Sequence, residues 1–163
     1  MITFKKIKSN DLQKIYNLAS DIWNDNYLGI ITKEQVSYML HMMYRPERIQ
    51  EDINNNYQWE FVYNDKELIG YLSYVIKNDK KVFLSKLYLN NKSQGLGFGK
   101  KMLERVFDYG IANKCNAVYL TVNKNNEKGI RAYNGTGFKV IREEITDIGG
   151  GYVMDDYVFE IEL

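Results

Sequence analysis

Six residues, Gln94-Gly95-Leu96-Gly97-Phe98-Gly99, have the composition of an anion site. They lie between an apolar strand pattern, Val82 to Leu89, and a helical pattern carrying Met102, Leu103, Val106 and Phe107 on one face. Glycines let the backbone approach a ligand closely and take conformations that side chains resist. The first N–H groups of a helix lack intrahelical partners, and the helix dipole adds partial positive charge there. A phosphate or pyrophosphate is the natural occupant. Lys100 and Lys101, just inside the helix, suit either a solvated face or a phosphate contact.

Spacing decides between phosphate ligands. A dinucleotide fingerprint G-x-G-x-x-G beginning at Gly95 needs glycine where Lys100 stands, and beginning at Gly97 it fails too. A P-loop, G-x-x-x-x-G-K-[ST], needs glycine at Gln94 and Ser or Thr at Lys101. Gln94, Gly97 and Gly99 do satisfy Q/R-x-x-G-x-G/A. This run resembles the acyl-CoA pyrophosphate motif of the GNAT superfamily of N-acetyltransferases. A second stretch, Ala117 to Lys139, has a strand ending in Val-Asn-x-x-Asn, a helix with Ala132 and Tyr133, and Gly-Phe-Lys opening the next strand. It is similar to the second half of the same family's site. The two motifs stand in the family's order, which makes them far more specific together than either is alone.

The resemblance implies acetyl-CoA as co-substrate and no metal. It places the pantetheine along Leu87, Tyr88 and Leu89, and the pyrophosphate on Gln94, Gly95, Leu96, Gly97, Phe98, Gly99 and Lys100. Asn126 matches the residue that bonds the CoA arm, and Tyr133 the tyrosine facing the thioester sulfur. An amine then attacks the thioester directly. A backbone N–H on the strand edge near Leu87 to Leu89 can stabilise the charge developing on the carbonyl oxygen. The thiolate leaving group, with a conjugate acid of pKa ~8.5 if it resembles cysteine, takes its proton from Tyr133. A primary alkylamine of pKa ~10.4 is mostly protonated at neutral pH, so a general base is expected. Many family members carry a glutamate on the strand before the glycine motif. Here that strand offers Ser85, Lys86 and Tyr88 instead. Asp155, Asp156, Glu51 and Asp52 are the candidate carboxylates; strand alternation lets at most one of Asp155 and Asp156 face a given cleft.

The run Ile22 to Gly29 and the ending Tyr152 to Tyr157 are similar to the PaiA-type branch of the family, which includes acetyltransferases of spermidine and spermine. A polyamine is therefore the expected acceptor. A peptide or protein α-amine is the rival, and a non-catalytic acyl-CoA-binding module is the alternative from another class.

These residues need elements to hold them. Ile2 to Ile7 alternates as a strand. Asn10 with Gln13 reads as a capping box opening a helix to about Trp23, and Asn24 to Ile31 as a loop. Thr32 with Gln35 reads as a second box, and Pro46 as the first residue of a third helix. Gln58–Tyr63, Leu68–Ile76 and Val82–Leu89 form an antiparallel meander, and Ala117–Val122 returns parallel after the crossover helix. A short helix, Asn125–Asn134, precedes a terminal hairpin turning at Gly149-Gly150-Gly151. The expected class is α/β (α+β): a mixed, mostly antiparallel sheet of about seven strands flanked by helices, in the order β-α-α-(α)-β-β-β-α-β-α-β-β. That is the family's order, and the whole chain reads as a single domain.

Composition sets the bounds. The 163 residues are 45% hydrophobic and 14% aromatic, enough for a core. A net charge of +1 gives no argument for nucleic acid or an anionic membrane. No apolar run approaches the ~20 residues of a membrane span, and the N-terminus does not read as a signal peptide. One cysteine, Cys115, forms no internal disulfide, so a cytoplasmic protein is expected. With one histidine, His41, and one cysteine there is no zinc-like ligand set and no motif for a histidine-dependent nucleophile. An exposed sheet edge would allow a homodimer.

Overall fold

The computed structural model describes residues 1–163. Its strands are β1 (Ile2–Lys6), β2 (Gln58–Asn64), β3 (Glu67–Ile76), β4 (Lys81–Leu89), β5 (Ala117–Asn123), β6 (Lys139–Gly149) and β7 (Tyr152–Glu162). Its helices are α1 (Leu12–Asn26), α2 (Lys33–Tyr44), α3 (Pro46–Asn54), α4 (Phe98–Ala112) and α5 (Glu127–Gly135). One seven-stranded sheet runs β1-β2-β3-β4-β5-β7-β6. Only β4 and β5 pair in parallel, as the crossover through α4 requires. Element order and the mixed sheet agree with the expectation from sequence.

Both sheet faces are covered, so the central strands are apolar on both sides. Helices α1 to α3 place Ile15, Ile22, Trp23, Leu40 and Ile49 against Trp59, Phe61 and Tyr71 of one face. Helix α4 places Met102, Leu103 and Val106 against Leu72, Val82, Leu84 and Val118 of the other. Truncating such a side chain to alanine costs about 2–5 kcal/mol through lost burial and the cavity left behind. Arg105 fixes α4 further, its guanidinium donating to Glu60 of β2 at 2.5 and 3.2 Å.

Three local expectations need correcting. Asn10 and Gln13 do not cap α1. Residues Ser9–Asp11 form a 3-10 turn, the Asp11 carboxylate accepts from the Lys8 N–H at 3.0 Å, and α1 begins at Leu12 without a side-chain cap. Nor does α1 stop near Trp23. The Trp23 indole donates to the hydroxyls of Tyr44 and Tyr71, at 3.0 Å each, and this anchor holds the next three residues helical despite their turn-forming chemistry. The second capping box is half formed. Thr32 accepts from the Gln35 N–H at 3.1 Å, but the Gln35 side chain donates to the Val153 carbonyl of β7 instead.

An irregularity in β4 sets the geometry of the sheet beside α4. Ser85 is an extra residue in β4, since Ser73 pairs with Lys86 and Tyr74 with Leu84. Across this bulge the alternation changes phase. Val82 and Leu84 face α4, Lys86 and Tyr88 face the opposite side, and Leu87 and Leu89 return to the α4 side. A bulged strand also bends and twists more strongly. Accordingly β4 and β5 pair only over Lys81–Phe83 and Ala117–Tyr119, and beyond that they part.

The hairpin tip folds over α2. Gly149, Gly150 and Gly151 take φ of +83°, +62° and +79°. The Tyr38 hydroxyl donates to the Ile148 carbonyl at 2.7 Å, and a Cβ on Gly150 would sit 2.8 Å from the Tyr38 ring. Glycine is needed here for both conformation and close approach.

Candidate active site

The gap between β4 and β5 is a cleft of about 510 Å³. Leu87, Tyr88 and Leu89 line one wall, Leu120 to Asn123 the other, and α5 closes the far side with Asn126 and Tyr133. Asn90 donates its N–H to Ile69 of β3 at 2.9 Å. Antiparallel alternation then turns the backbone groups of Leu89 and Leu87 outward, toward the cleft, and those of Tyr88 inward to β3. Tyr88 offers the cleft its ring rather than its amide.

At the mouth, Gly95 and Gly97 take φ of +77° and +84°. Gly97 is the N-cap of α4 and brings no side chain to cap it. No backbone N–H from Gly95 to Lys100 has a hydrogen-bond partner within the chain. Cβ atoms on Gly95, Gly97 or Gly99 would meet nothing within 4 Å, so the cradle is open as well as rich in donors. Both properties suit a pyrophosphate. Gln94 holds the loop in place. Its amide nitrogen donates to the Leu89 carbonyl at 3.0 Å and to Asn26 of α1 at 3.2 Å, and its carbonyl accepts from Lys128 of α5. Gln94, Gly95, Gly99 and Lys100 line the cleft. Leu96 turns to solvent and Phe98, the first residue of α4, packs half-buried against the core, so their side chains do not join it.

Asn126 caps α5, its side-chain oxygen accepting from the Gly129 N–H at 3.0 Å, and also lines the cleft. Tyr133 lies against Phe138 and Phe159, with ring centroids 5.5 and 6.1 Å away. Burial pushes its phenol above the usual range, with a smaller contribution from Tyr27, so the proton stays on the oxygen at neutral pH.

Beside the cleft is a smaller, more enclosed chamber of about 70 Å³. Tyr27, Ser85, Tyr88, Thr121 and Asn123 border both spaces. Trp23 and Met39 add apolar wall. Two charged residues face in, Lys86 and Asp156. The Lys86 ammonium bonds Ser85 Oγ at 2.8 Å and stands over the rings of Trp59 and Tyr44 at 5.2 and 5.6 Å. Burial lowers its pKa to about 8, against the opposing charge of Asp52. Asp156 is only 5% exposed, and its Oδ1 has no hydrogen-bond partner. Burial raises its pKa to about 6, helped by the charges of Asp155 and Glu144.

Of the four candidate carboxylates, the fold brings only Asp156 to this chamber. Asp155, its neighbour on β7, pairs with Lys124 at 2.9 Å and borders a separate hollow. Asp52 pairs with Arg48 at 3.1 Å, and Glu51 is exposed. Lys86 lines the chamber without any sequence motif that marks it, while Asn26 and Tyr27 fall in the Ile22–Gly29 run, whose resemblance gave them no role in the site. His41 is exposed on α2, and Cys115 is buried near the start of β5. No group of three or more His, Cys, Asp or Glu is arranged to hold a metal ion, and no helix is long and apolar enough to cross a membrane.

Comparison with known proteins meets this geometry from another direction. Residues 12–138 match the family described as acetyltransferase (GNAT). The spermidine N(1)-acetyltransferase of Thermoplasma acidophilum is 27% identical over 162 residues, 94% of this chain and 96% of that protein. The spermine/spermidine N(1)-acetyltransferase of Bacillus subtilis is 30% identical over 101 residues, 57% of this chain and 65% of that protein, just under two thirds of its length. The PaiA N-acetyltransferase of Thermoplasma acidophilum, solved with coenzyme A, superposes with a TM-score of 0.83 at 24% identity, covering 100% of this chain and 99% of that one. The likeness to that structure is one of fold.

Proposed function

The chain belongs to the GNAT acetyltransferase family, and we propose that it uses acetyl-CoA as its acyl donor and that its acceptor is a primary amine of a polyamine such as spermidine or spermine. One observation carries the enzymatic reading. An open cradle of unpartnered N–H groups, an outward-facing strand edge and a protonated Tyr133 line one cleft, and a chamber for a small amine adjoins it. The polyamine choice rests on two relatives named for spermidine and spermine, one of them matched over nearly its whole length. An apolar, aromatic chamber with one carboxylate suits a methylene chain ending in an ammonium.

In this reading the N–H groups of residues 95 to 100 hold the pyrophosphate, with Lys100 beside them. The outward groups of Leu87 and the outward N–H of Leu89 pair with the pantetheine amides as an added strand would, the Leu89 carbonyl being held by Gln94, and Asn126 bonds the same arm. A Leu87 or Leu89 N–H stabilises the charge growing on the thioester oxygen. Tyr133 delivers its proton to the departing sulfur. Holding amine and thioester together in a closed space supplies much of the rate. The described chain acts as one acetyltransferase domain. A cytoplasmic setting is supported by a lone buried thiol with no partner. A homodimer is supported by the free edge of β6, where Ile145 is 72% exposed.

The test is release of CoA thiol from acetyl-CoA across spermidine, spermine, simple diamines and peptides. Turnover of the polyamines is expected. Turnover of peptides alone discards the polyamine, and saturable acetyl-CoA binding with no turnover of any amine turns the protein into a binding module.

A further inference from the structure

We propose that Asp156 is the general base of the reaction: its Oδ1 takes the proton from the acceptor ammonium inside the chamber bordered by Tyr27, Tyr88 and Asn123. The inference rests on the reading of this protein as an amine acetyltransferase, and not on which amine it acetylates.

Geometry selects the residue. Asp156 is the only carboxylate lining the chamber, and it lies nine-tenths buried with one oxygen unbonded. Its place is fixed by register. Asp156 pairs with Asn123 of β5, and Asn123 borders both the chamber and the cleft. The carboxylate therefore stands where an amine entering the chamber must turn toward the thioester. The other buried acids are already engaged, Glu60 with Arg105 and Asp52 with Arg48. No cation pairs with Asp156. Lys124 is committed to Asp155 and Glu143, and Lys86 is held by Ser85. Tyr27 and Tyr88, the remaining titratable groups bordering the chamber, are kept neutral by burial. An unpaired buried carboxylate is costly to keep, and an incoming ammonium supplies the missing partner.

The protons balance. The ammonium gives one proton to Asp156, and the freed lone pair forms the C–N bond as the C–S bond breaks. The sulfur leaves with the Tyr133 proton. The nitrogen loses its second proton to the Tyr133 oxygen, directly or through water, and Asp156 releases the first to solvent. The products are the acetamide, the CoA thiol and one net proton.

The pH profile of kcat/KM for the amine reads this directly, because a base lets the abundant ammonium form react. With a carboxylate titrating near 6, the wild-type profile is expected to level off from about pH 7 to the amine pKa of ~10, with only a small step near pH 8 where Lys86 of the same chamber loses its charge. Without a base only the free amine reacts, and the profile climbs about tenfold per pH unit over the same range. Asp156→Asn is expected to lose about 10²-fold or more at neutral pH and to acquire the climbing profile. Asp156→Glu is expected to recover part of the rate and the plateau. Acetyl-CoA binding by calorimetry should be the same in all three proteins. The profile is measured on whichever amine of the panel the enzyme turns over, so failure of the polyamine reading leaves this test intact. A climbing wild-type profile overturns the proposal, as does an Asp156→Asn enzyme that keeps both its neutral rate and its plateau. A wild type that acetylates no amine removes the acetyltransferase reading and Asp156's role together.

Discussion

The hydroxyls of Tyr27 and Tyr88 meet at 2.9 Å, joining the end of α1 to β4 at the boundary between the small chamber and the larger cleft. Both phenols are neutral, because burial raises their pKa values. The bond is therefore a neutral one, worth about 1 kcal/mol. Tyr27→Phe should lower stability by about that amount in chemical denaturation. It should raise KM for the amine while leaving KM for acetyl-CoA nearly unchanged, as steady-state kinetics with each substrate varied will show.

Tyr133→Phe keeps the ring that packs on Phe138 and Phe159 and removes the proton. A thiolate is already a tolerable leaving group, so the loss in kcat should be about 10²-fold, the low end of acid catalysis. Acetyl-CoA affinity, measured by calorimetry, should stay within the wild-type range.

The two cradle glycines should respond differently to alanine. Gly97 sits at φ +84°, so Gly97→Ala strains the backbone by about 1–2 kcal/mol and should lower both Tm and acetyl-CoA affinity. Gly99 lies inside α4 with ordinary helical backbone, where alanine is favoured by up to ~1 kcal/mol. Gly99→Ala should therefore raise Tm and, since the motif admits alanine at this position and a methyl there meets nothing within 4 Å, leave KM for acetyl-CoA near the wild-type value.

Asp156 links stability to pH in the direction opposite to most carboxylates. Its folded pKa of about 6 lies above the ordinary 3.8, so between those values the folded state holds a proton that the unfolded state has released. Stability then falls as pH rises through that window. The interval corresponds to roughly 3 kcal/mol, which solvent screening reduces to about 1–2 kcal/mol. Asp156→Asn should be more stable than wild type by that amount above about pH 6 and equal to it near pH 4 and below, in denaturant unfolding across the range.

Lys86 has the complementary profile. Its folded pKa of about 8 lies below the ordinary 10.5, so the cost of burying the ammonium is present at neutral pH and relieved as pH rises between those values. Lys86→Met removes the charge and keeps the stem. It should stabilise the protein by about 1–3 kcal/mol at neutral pH, with the gain shrinking as pH approaches 10.

What the sequence makes legible here is local. The cradle between Gln94 and Lys100 is a contiguous run whose chemistry depends on its own glycines and on the helix beginning at Phe98. Asn126 reads as a cap, and the fold makes it one. What stays hidden is set at a distance. The helical state of Asn24 to Asn26 depends on Trp23 being held by Tyr44 and Tyr71, 21 and 48 residues away. Asp155 and Asp156 are equal candidates in the sequence, and only the pairing of Asp156 with Asn123 decides which of them faces the chamber. Lys86 falls on the α4 face by plain alternation with Val82 and Leu84, and only the bulge moves it to the chamber side.

That bulge makes β4 a matter of odd and even. Everything beyond Ser85 owes its side of the sheet to one surplus residue. Remove it, and Lys86 and Tyr88 would be thrust against α4 while Leu87 and Leu89 lined the chamber, exchanging active site for core in a single step. Substitutions along this strand change one contact at a time. A change in its length rewrites every contact beyond the point of change, so among descendants of this chain the residue count of β4 should drift far less readily than its composition.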